Sequence, residues 1–226
     1  INKDLTKDFL KENLTKKYEK QLLSYNINKE TIIDKTLLNF WYVGFIKIFF
    51  PNSKIMAVVK ANAYGHGDIE MGIKLKALGI NCFAVADFEE GIRLRGVLQK
   101  SQIMVMNPGI NNLGAIIKHK LQPVIYSNFM LEELLEFSKK YEGTIYIHIK
   151  LNTGMNRWGL NNNEAALAIK KVLNHNNIRI ISIYSHLASS AMKKHDKFSM
   201  QQIESLHRFK KEIAEKTNST VFRSIC

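Results

Sequence analysis

Cysteine is scarce in this chain, which excludes one class of protein. The 226 residues contain two cysteines, Cys82 and Cys226. They are too few for the disulfide framework of a small secreted protein, and no metal-ligand spacing surrounds them, so we predict no metal site. The first residues, INKDLTKDFLKEN, are charged and lack an apolar core and a cleavage site, so we expect no secretory leader. Together these features predict a reduced, cytoplasmic protein.

Apolar runs long enough to cross a membrane are also missing. The most apolar segment, FWYVGFIKIFF at residues 40–50, is interrupted by Lys47. It is far shorter than the roughly 20 residues of a transmembrane helix. We therefore predict a buried helix there and no membrane partner.

Acidic residues are too few to balance the basic ones. The chain has 20 Asp and Glu against 33 Lys and Arg, a net charge of +13. Such a charge can indicate a nucleic-acid, membrane or acidic partner. The basic residues are spread along the whole chain, however, and no aromatic residues interleave with them as a platform for stacked bases. A solvated lysine surface without a nucleic-acid partner is the simpler interpretation, and a clustered cationic face would favour the alternative.

What the chain does have is a regular alternation of short β-rich runs and amphipathic helical patterns. The runs are too apolar for strands with one solvated face, so they predict a buried parallel sheet and an α/β fold. The predicted strands are 54–60, 82–87, 102–107, 122–126, 145–151, 178–186 and an incipient strand at 221–226.

Two architectures accommodate this alternation. An open, doubly wound sheet that binds a dinucleotide would carry G-x-G-x-x-G after its first strand, and ANAYGHGDIE after Lys60 does not fit. A (β/α)8 TIM-type barrel needs eight units and typically about 250 residues. We count six complete units and the start of a seventh. The sequence therefore predicts an incomplete barrel over 36–226, preceded by a helical extension of unassigned role over 1–35.

Positively charged residues and histidines end several predicted strands. Lys60 ends the first, His148 and Lys150 end the fifth with Arg157 just beyond, and His186 ends the sixth. In a barrel, the loops that follow the strands converge at one face and form the ligand site. Several cations at that face imply an anionic ligand.

Lys60 and Tyr64 narrow the class of ligand. A desolvated lysine at a strand end holds its proton less tightly, as Schiff-base formation with a carbonyl requires. Tyr64 offers a hydroxyl beside a turn with Gly65 and Gly67, whose backbone amides suit a phosphate. A reactive lysine beside a phosphate site suggests pyridoxal 5'-phosphate.

Each of these residues also has a purely structural interpretation. Lys60 fits a strand-end lysine whose ammonium reaches solvent, and Tyr64 fits a packed turn aromatic. His148 and His186 fit hydrogen-bonded core histidines, and Arg157 fits a surface ion pair. From the residues alone, both interpretations stay open.

Three segments resemble the alanine racemase family. AVVKANAYGHG, around Lys60, resembles the segment to which these enzymes attach pyridoxal phosphate. HIKLNTGMNRWG, at 148–159, is similar to the segment with the family's carboxylated lysine and cofactor-contacting arginine, and IYSHLASS, at 183–190, resembles the segment with its cofactor-side histidine. The segments follow the family's order, and the resemblance extends from about Ile33 to the end of the chain.

The resemblance implies a role for each matching residue. Lys60 would hold pyridoxal phosphate as a Schiff base and act as the catalytic base on one face of the substrate α-carbon. Tyr64 would bind the cofactor phosphate. Arg157 would bind the cofactor's phenolic oxygen and contact the substrate, oriented by Lys150 as N6-carboxylysine. His186 would pack beside the cofactor ring.

The resemblance also implies a reaction, a partner and a missing part. It predicts a homodimeric isomerase that interconverts L-alanine and D-alanine and so supplies D-alanine for peptidoglycan. Family members continue with further cofactor contacts and a C-terminal β domain, whose tyrosine serves the opposite face of the substrate across the dimer interface. We expect the present chain to be a fragment without that domain, and inactive alone.

The sequence departs from the family pattern at a few positions. Lys35 and Trp41 interrupt the usual first segment, Ser190 and Ala191 replace an expected Ala-Asp, and Trp158 stands where a smaller aliphatic residue is usual. None of these positions carries a group assigned to chemistry.

Two other functions stay compatible with the same motifs. One is a non-catalytic single-barrel protein that binds pyridoxal phosphate for its homeostasis, and the other is a racemase specific for serine or of broad specificity. The length of the lysine segment and the GMNRWG segment favour the alanine racemase over the single-barrel protein.

Overall fold

The computed structural model describes residues 54–189, 192–217 and 223–225. The predicted helical extension at 1–35 and the apolar segment at 40–50 lie outside the described residues. Within those described, no helix is both long and apolar enough to cross a membrane.

Seven parallel strands form one sheet, and their spatial order follows the chain. A doubly wound sheet reverses its strand order at a switch point, whereas sequential order is the topology of a (β/α)8 barrel. The prediction of an incomplete barrel with six units and a seventh strand is therefore confirmed. The strands are β1 (Met56–Val58), β2 (Cys82–Val85), β3 (Gln102–Val105), β4 (Gln122–Ile125), β5 (Ile145–Lys150), β6 (Ile178–Tyr184) and β7 (Arg223–Ile225).

One helix follows each of the first six strands. Asp87, Ser127 and Asn161 each accept a hydrogen bond at the start of the second, fourth and fifth helices, satisfying an amide that has no partner inside the helix. The second and fourth helices begin three residues after the preceding strand ends, whereas the fifth begins twelve residues after β5, beyond a longer loop. The helices are α1 (Asp68–Ala77), α2 (Phe88–Val97), α3 (Leu113–Lys118), α4 (Asn128–Ser138), α5 (Asn162–Leu173) and α6 (Asp196–Thr217).

The main core lies between the strands and the helices. Ile147 and Ile149 of β5 contribute to it, as do Leu134 of α4 and Ile169 of α5, all with no exposed surface. Burial of apolar surface stabilises the fold by about 25 cal/mol per Å². The apolar runs that predicted the strands supply one side of this core.

The register of β6 shifts against β5 between Ile147 and His148, which leaves an extra residue in β6. As a result Ile180 and Ile183, three residues apart, both belong to the main core. Tyr184 instead packs in the smaller cluster with Ala84, Met104 and Val124. The shift therefore turns the end of β6 so that Tyr184 joins this second cluster.

His148 is part of a buried polar group among the strands. It is fully buried, its Nε2 lies 3.0 Å from Gln122 Oε1, and its Nδ1 lies 2.7 Å from Ser182 Oγ. Because the amide oxygen of Gln122 only accepts, Nε2 carries the proton and Nδ1 accepts from the Ser182 hydroxyl. Burial lowers the pKa of His148 to about 3, so the ring is neutral. This arrangement favours the structural interpretation of His148.

Arg95 joins several loops that lead into strands. Its partly buried guanidinium donates at 2.7–3.1 Å to backbone carbonyls, and burial lowers its pKa. These carbonyls belong to the turns before β3 and β4, so one side chain fixes both αβ connections. The acceptors are Leu98, Gln99, Ser101, His119 and Lys120.

Candidate active site

Lys60 lies two residues beyond β1 and opens a left-handed turn. Ala61, Asn62, Ala63 and Tyr64 all have φ between 50° and 55°. Left-handed backbone costs about 1–2 kcal/mol for each residue other than glycine. Four such residues in succession persist only where their surroundings hold them, and strained backbone of this kind clusters at functional sites.

Asn62 ties this turn to the start of α1. Its Oδ1 accepts from the amide of Asp68 at 3.0 Å, and its carbonyl accepts from the amide of Gly67 at 3.0 Å. The buried Asp68 carboxylate is in turn held by Arg93, whose Nε and Nη2 donate at 3.0 Å and 2.6 Å. Asn62 thus holds the turn after Lys60 against the start of α1, and Arg93 holds Asp68 at that start.

Lys150, the last residue of β5, lies close to two of the predicted site residues. It is 6% exposed, and its Nζ stands 5.9 Å from the centre of the Tyr184 ring. Burial and the positive charges of Arg157 and Lys60 lower the pKa of Lys150 to about 8. The structure therefore brings three predicted cations into one electrostatic neighbourhood, although β1 and β5 are far apart in the sequence.

Among the described residues, no ion pair joins Lys60, Lys150 or Arg157 to a carboxylate. Like charges held together without an ion-pair partner favour binding of an anion.

Arg157 lies on a loop that closes on itself. The Asn152 side chain accepts from the amides of Gly154 and Asn156 at 3.1 Å and 3.0 Å. A side chain at Gly159, where φ is 136°, would lie 2.7 Å from the Asn152 nitrogen. The asparagine and the glycines of this motif therefore shape the loop that presents the exposed Arg157.

Gln202 joins the loops after β5 and β6. Its buried amide accepts from Ala188 N at 3.0 Å and donates to His186 O at 3.1 Å and Thr153 Oγ1 at 3.4 Å. The loop with His186 is thereby held beside the loop that leads to Arg157. Gln202 is not among the residues predicted from the sequence, because its contacts cross between elements and leave no local pattern.

Two aromatic residues stack beside Arg157. The rings of Trp158 and Tyr126 are 5.2 Å apart with an interplanar angle of 13°, and the Tyr126 hydroxyl donates to Asn107 Oδ1 at 3.1 Å. Trp158 is 46% exposed. Trp158 therefore packs the loop that carries Arg157 against Tyr126, just beyond the end of β4.

Tyr64 lies at the end of the left-handed turn and is 47% exposed. Partial burial raises the pKa of its phenol, so the hydroxyl keeps its proton and can donate a hydrogen bond. Gly65 follows with φ of 90°, which reverses the chain toward α1. The position is compatible with a hydroxyl that binds an anionic group near Lys60.

Comparison with known proteins identifies the family. Residues 45–226 match the family model for the alanine racemase N-terminal domain. The chain belongs to this family. The match begins about twelve residues later than the resemblance noted in the sequence, and it includes all the site residues discussed above.

Individual alanine racemases give the same result. Alanine racemase 1 of Bacillus subtilis (strain 168) is 35% identical over 162 residues, which are 71% of this chain and 40% of that protein. The alanine racemase of Halothermothrix orenii is 33% identical over 195 residues, which are 83% of this chain and 51% of that protein. The chain thus spans about half or less of the length of these relatives.

Solved alanine racemase structures share the fold. That of Clostridium difficile 630 superimposes with a TM-score of 0.73 at 23% identity, covering 83% of this chain and 53% of the other. That of Pseudomonas aeruginosa gives a TM-score of 0.66 at 26% identity, covering 75% and 46%. The incomplete barrel described above corresponds to the barrel of these racemases.

The donor set of this alanine racemase domain fits pyridoxal phosphate. The cofactor carries an aldehyde, a phenolic oxygen and a phosphate. The site offers an amine at Lys60, a second cation at Arg157 and a protonated phenol at Tyr64, and the ion pairs among the described residues involve neither Lys60 nor Arg157. The described residues also contain no group of His, Cys, Asp and Glu arranged to hold a metal ion.

Proposed function

We propose that the chain is the pyridoxal-phosphate-binding barrel of a racemase that interconverts L-alanine and D-alanine. The observation that carries this proposal is the convergence of Lys60, Lys150 and Arg157 where β1 and β5 end. When bound, pyridoxal phosphate supplies the electron sink that stabilises negative charge on the substrate α-carbon. The protein's part is to hold the reactants and to move the proton.

Lys60 has two tasks in this proposal. Its amine would hold the cofactor through the aldehyde, and with substrate bound the same amine would serve as the base that takes the α-proton from one face of the substrate. The strained turn from Ala61 to Tyr64 fixes the backbone at Lys60 and so the direction in which its side chain extends beyond β1. That position decides which face of the α-carbon the amine can reach.

Lys150 is proposed to become a carbamate. A pKa of about 8 leaves part of its amine neutral near pH 8. That neutral amine attacks the carbon of CO2, forming a C–N bond while one C=O bond of CO2 becomes a C–O⁻, and the nitrogen then releases one proton. Together with the proton that the ammonium loses beforehand, two protons leave and a positive charge is replaced by a negative one. The carbamate would pair with Arg157 and orient its guanidinium toward the phenolic oxygen of the cofactor and the substrate.

Tyr64 is proposed to bind the cofactor phosphate, and His186 to pack beside the cofactor ring. Gln202 holds the backbone of His186 in place. A base for the opposite face of the substrate, a homodimer, a cytoplasmic location and a supply of D-alanine for peptidoglycan complete the proposal. These four features rest on the membership of the family, and the chain spans about half or less of the length of the relatives compared above.

A lysine substitution tests the proposal. In the chain at its full natural length, wild type should develop the visible absorbance of lysine-bound pyridoxal phosphate. Lys60→Ala should abolish that absorbance, and Lys54→Ala, an exposed lysine six residues earlier, should leave it unchanged. An unaltered spectrum in Lys60→Ala would overturn the cofactor assignment. Cofactor binding without any turnover of alanine would favour the non-catalytic binding protein.

A further inference from the structure

Glu90, in the first turn of α2, joins two backbone segments beside the candidate site. Its Oε1 accepts from the amide of Ala61 at 2.7 Å, and its Oε2 accepts from the amide of Ala86 at 2.8 Å. Ala61 is the residue directly after Lys60, and Ala86 directly follows β2. One carboxylate therefore bridges the two chain segments at the carboxyl ends of β1 and β2.

The amide of Ala61 needs this acceptor. Hydrogen bonding between β1 and β2 extends as far as the amide of Val59, which donates to Ala84 O at 2.9 Å. Beyond it the left-handed turn begins, where Ala61 has φ of 51°. An amide that points away from the sheet at this position finds no strand partner, and Glu90 supplies a charged acceptor in its place.

Glu90 is itself held in position. Its amide donates to Oδ1 of Asp87, the N-cap of α2, at 3.0 Å. The neighbouring Glu89 also lies in the first turn of α2, but it is exposed, and the bridging bonds are made by Glu90. The bridge is therefore a property of one carboxylate and differs from a general preference for acidic residues at a helix start.

We infer that Glu90 is a positioning residue for Lys60, an inference that rests on the proposed function. Fixing the amide of Ala61 fixes the peptide that links it to Lys60, and so the direction in which the lysine side chain leaves the end of β1. Tying the same carboxylate to Ala86 keeps that peptide in register with β2. Without the bridge, the turn can relax from its strained conformation and carry the Lys60 amine away from the cofactor aldehyde.

The test measures how fast and how selectively Lys60 reacts with pyridoxal phosphate. The chain at its full natural length is incubated with pyridoxal phosphate, reduced with borohydride and digested, and the label at each lysine is quantified by mass spectrometry. Wild type should carry its label mainly at Lys60. Glu90→Ala should label Lys60 about tenfold more slowly and shift label to other lysines, because a charge-assisted hydrogen bond is lost on each side.

Two variants separate positioning from charge and from folding. Glu90→Gln keeps the size of the side chain but presents an amide group to one of the two amides, so it retains one bond and should react at an intermediate rate. Glu89→Gln removes an equal charge from the same helix turn and should react like wild type. All rates are taken well below each variant's thermal unfolding midpoint, and Glu90→Gln decides the question if Glu90→Ala does not fold.

The outcomes distinguish this inference from the function on which it rests. If wild type carries no label at Lys60, the proposed function fails, whatever Glu90 does. If wild type is labelled at Lys60 and both Glu90 variants react at its rate, the positioning role is overturned. A loss of equal size in Glu89→Gln would also overturn it, because charge alone would then account for the effect.

Discussion

At the scale of residues, the candidate site is a set of cations that the fold forces together. Lys60, Lys150 and Arg157 interact although 97 residues separate the first from the last. Burial is the largest cause of the lowered pKa of Lys150, and the two neighbouring charges add to it. The sequence predicted these residues because each lies at or just beyond the end of a predicted strand, but it could not show how deeply Lys150 is buried.

The lowered pKa of Lys150 predicts pH-dependent carbamate formation. The neutral amine is the reactive form, so uptake of CO2 should rise as the pH increases through about 8. With ¹³C-labelled bicarbonate, NMR should show a carbamate signal that is absent in Lys150→Ala and retained in Lys139→Ala, an exposed lysine on the outer surface. An identical carbamate signal in Lys150→Ala would contradict the assignment.

The lowered pKa of Lys150 also makes the stability of the chain without CO2 depend on pH. Because the pKa of Lys150 is lower in the folded than in the unfolded state, the unfolded chain binds more protons between pH 8 and the ordinary lysine pKa. Its contribution therefore makes the chain more stable as the pH rises through that range. Below it, Lys150 is charged in both states and the cost of its burial is fully present.

At the scale of elements, local sequence patterns account for the strands and for three of the six described helix starts. The apolar runs locate β1 to β7 within a few residues, and Asp87, Ser127 and Asn161 are typical helix caps. The left-handed turn after Lys60 was not predictable in this way. Its conformation depends on acceptors such as Glu90, 29 residues away, and no pattern around Ala61 signals them. A D-x-x-E pattern at Asp87 to Glu90 marks the helix start but not the bridge to β1.

Arg95 provides a stability test at this scale. Arg95→Ala should lower the free energy of unfolding by about 2–4 kcal/mol, because several partly buried carbonyls lose a charged donor. Arg95→Lys should recover little, since one ammonium cannot reach acceptors on two loops. Urea denaturation measures both effects, with the exposed Arg208→Ala as the control that should change stability little. A loss for Arg95→Ala no larger than for Arg208→Ala would refute the role of Arg95.

At the scale of the whole molecule, the alternation of strand and helix patterns predicted the barrel correctly. Sequential parallel pairing follows from short crossovers of one hand, so the order of the strands in the sheet repeats their order in the chain. The alternation could not predict the contacts between loops, such as those of Gln202, since these depend on how neighbouring βα units pack against each other. The boundary between the predicted helical extension (1–35) and the predicted barrel (36–226) stays a prediction, because it lies outside the described residues.

The central claim is that Lys60 carries the cofactor and moves the α-proton of alanine. The most direct measurement follows exchange of the alanine α-hydrogen with deuterium by proton NMR. The chain at its full natural length is incubated in D2O with L-alanine and pyridoxal phosphate. The account predicts loss of the α-proton signal with wild type and its retention with Lys60→Ala. Exchange at the wild-type rate in Lys60→Ala, or no exchange in a wild-type protein whose cofactor is bound to Lys60, would contradict it.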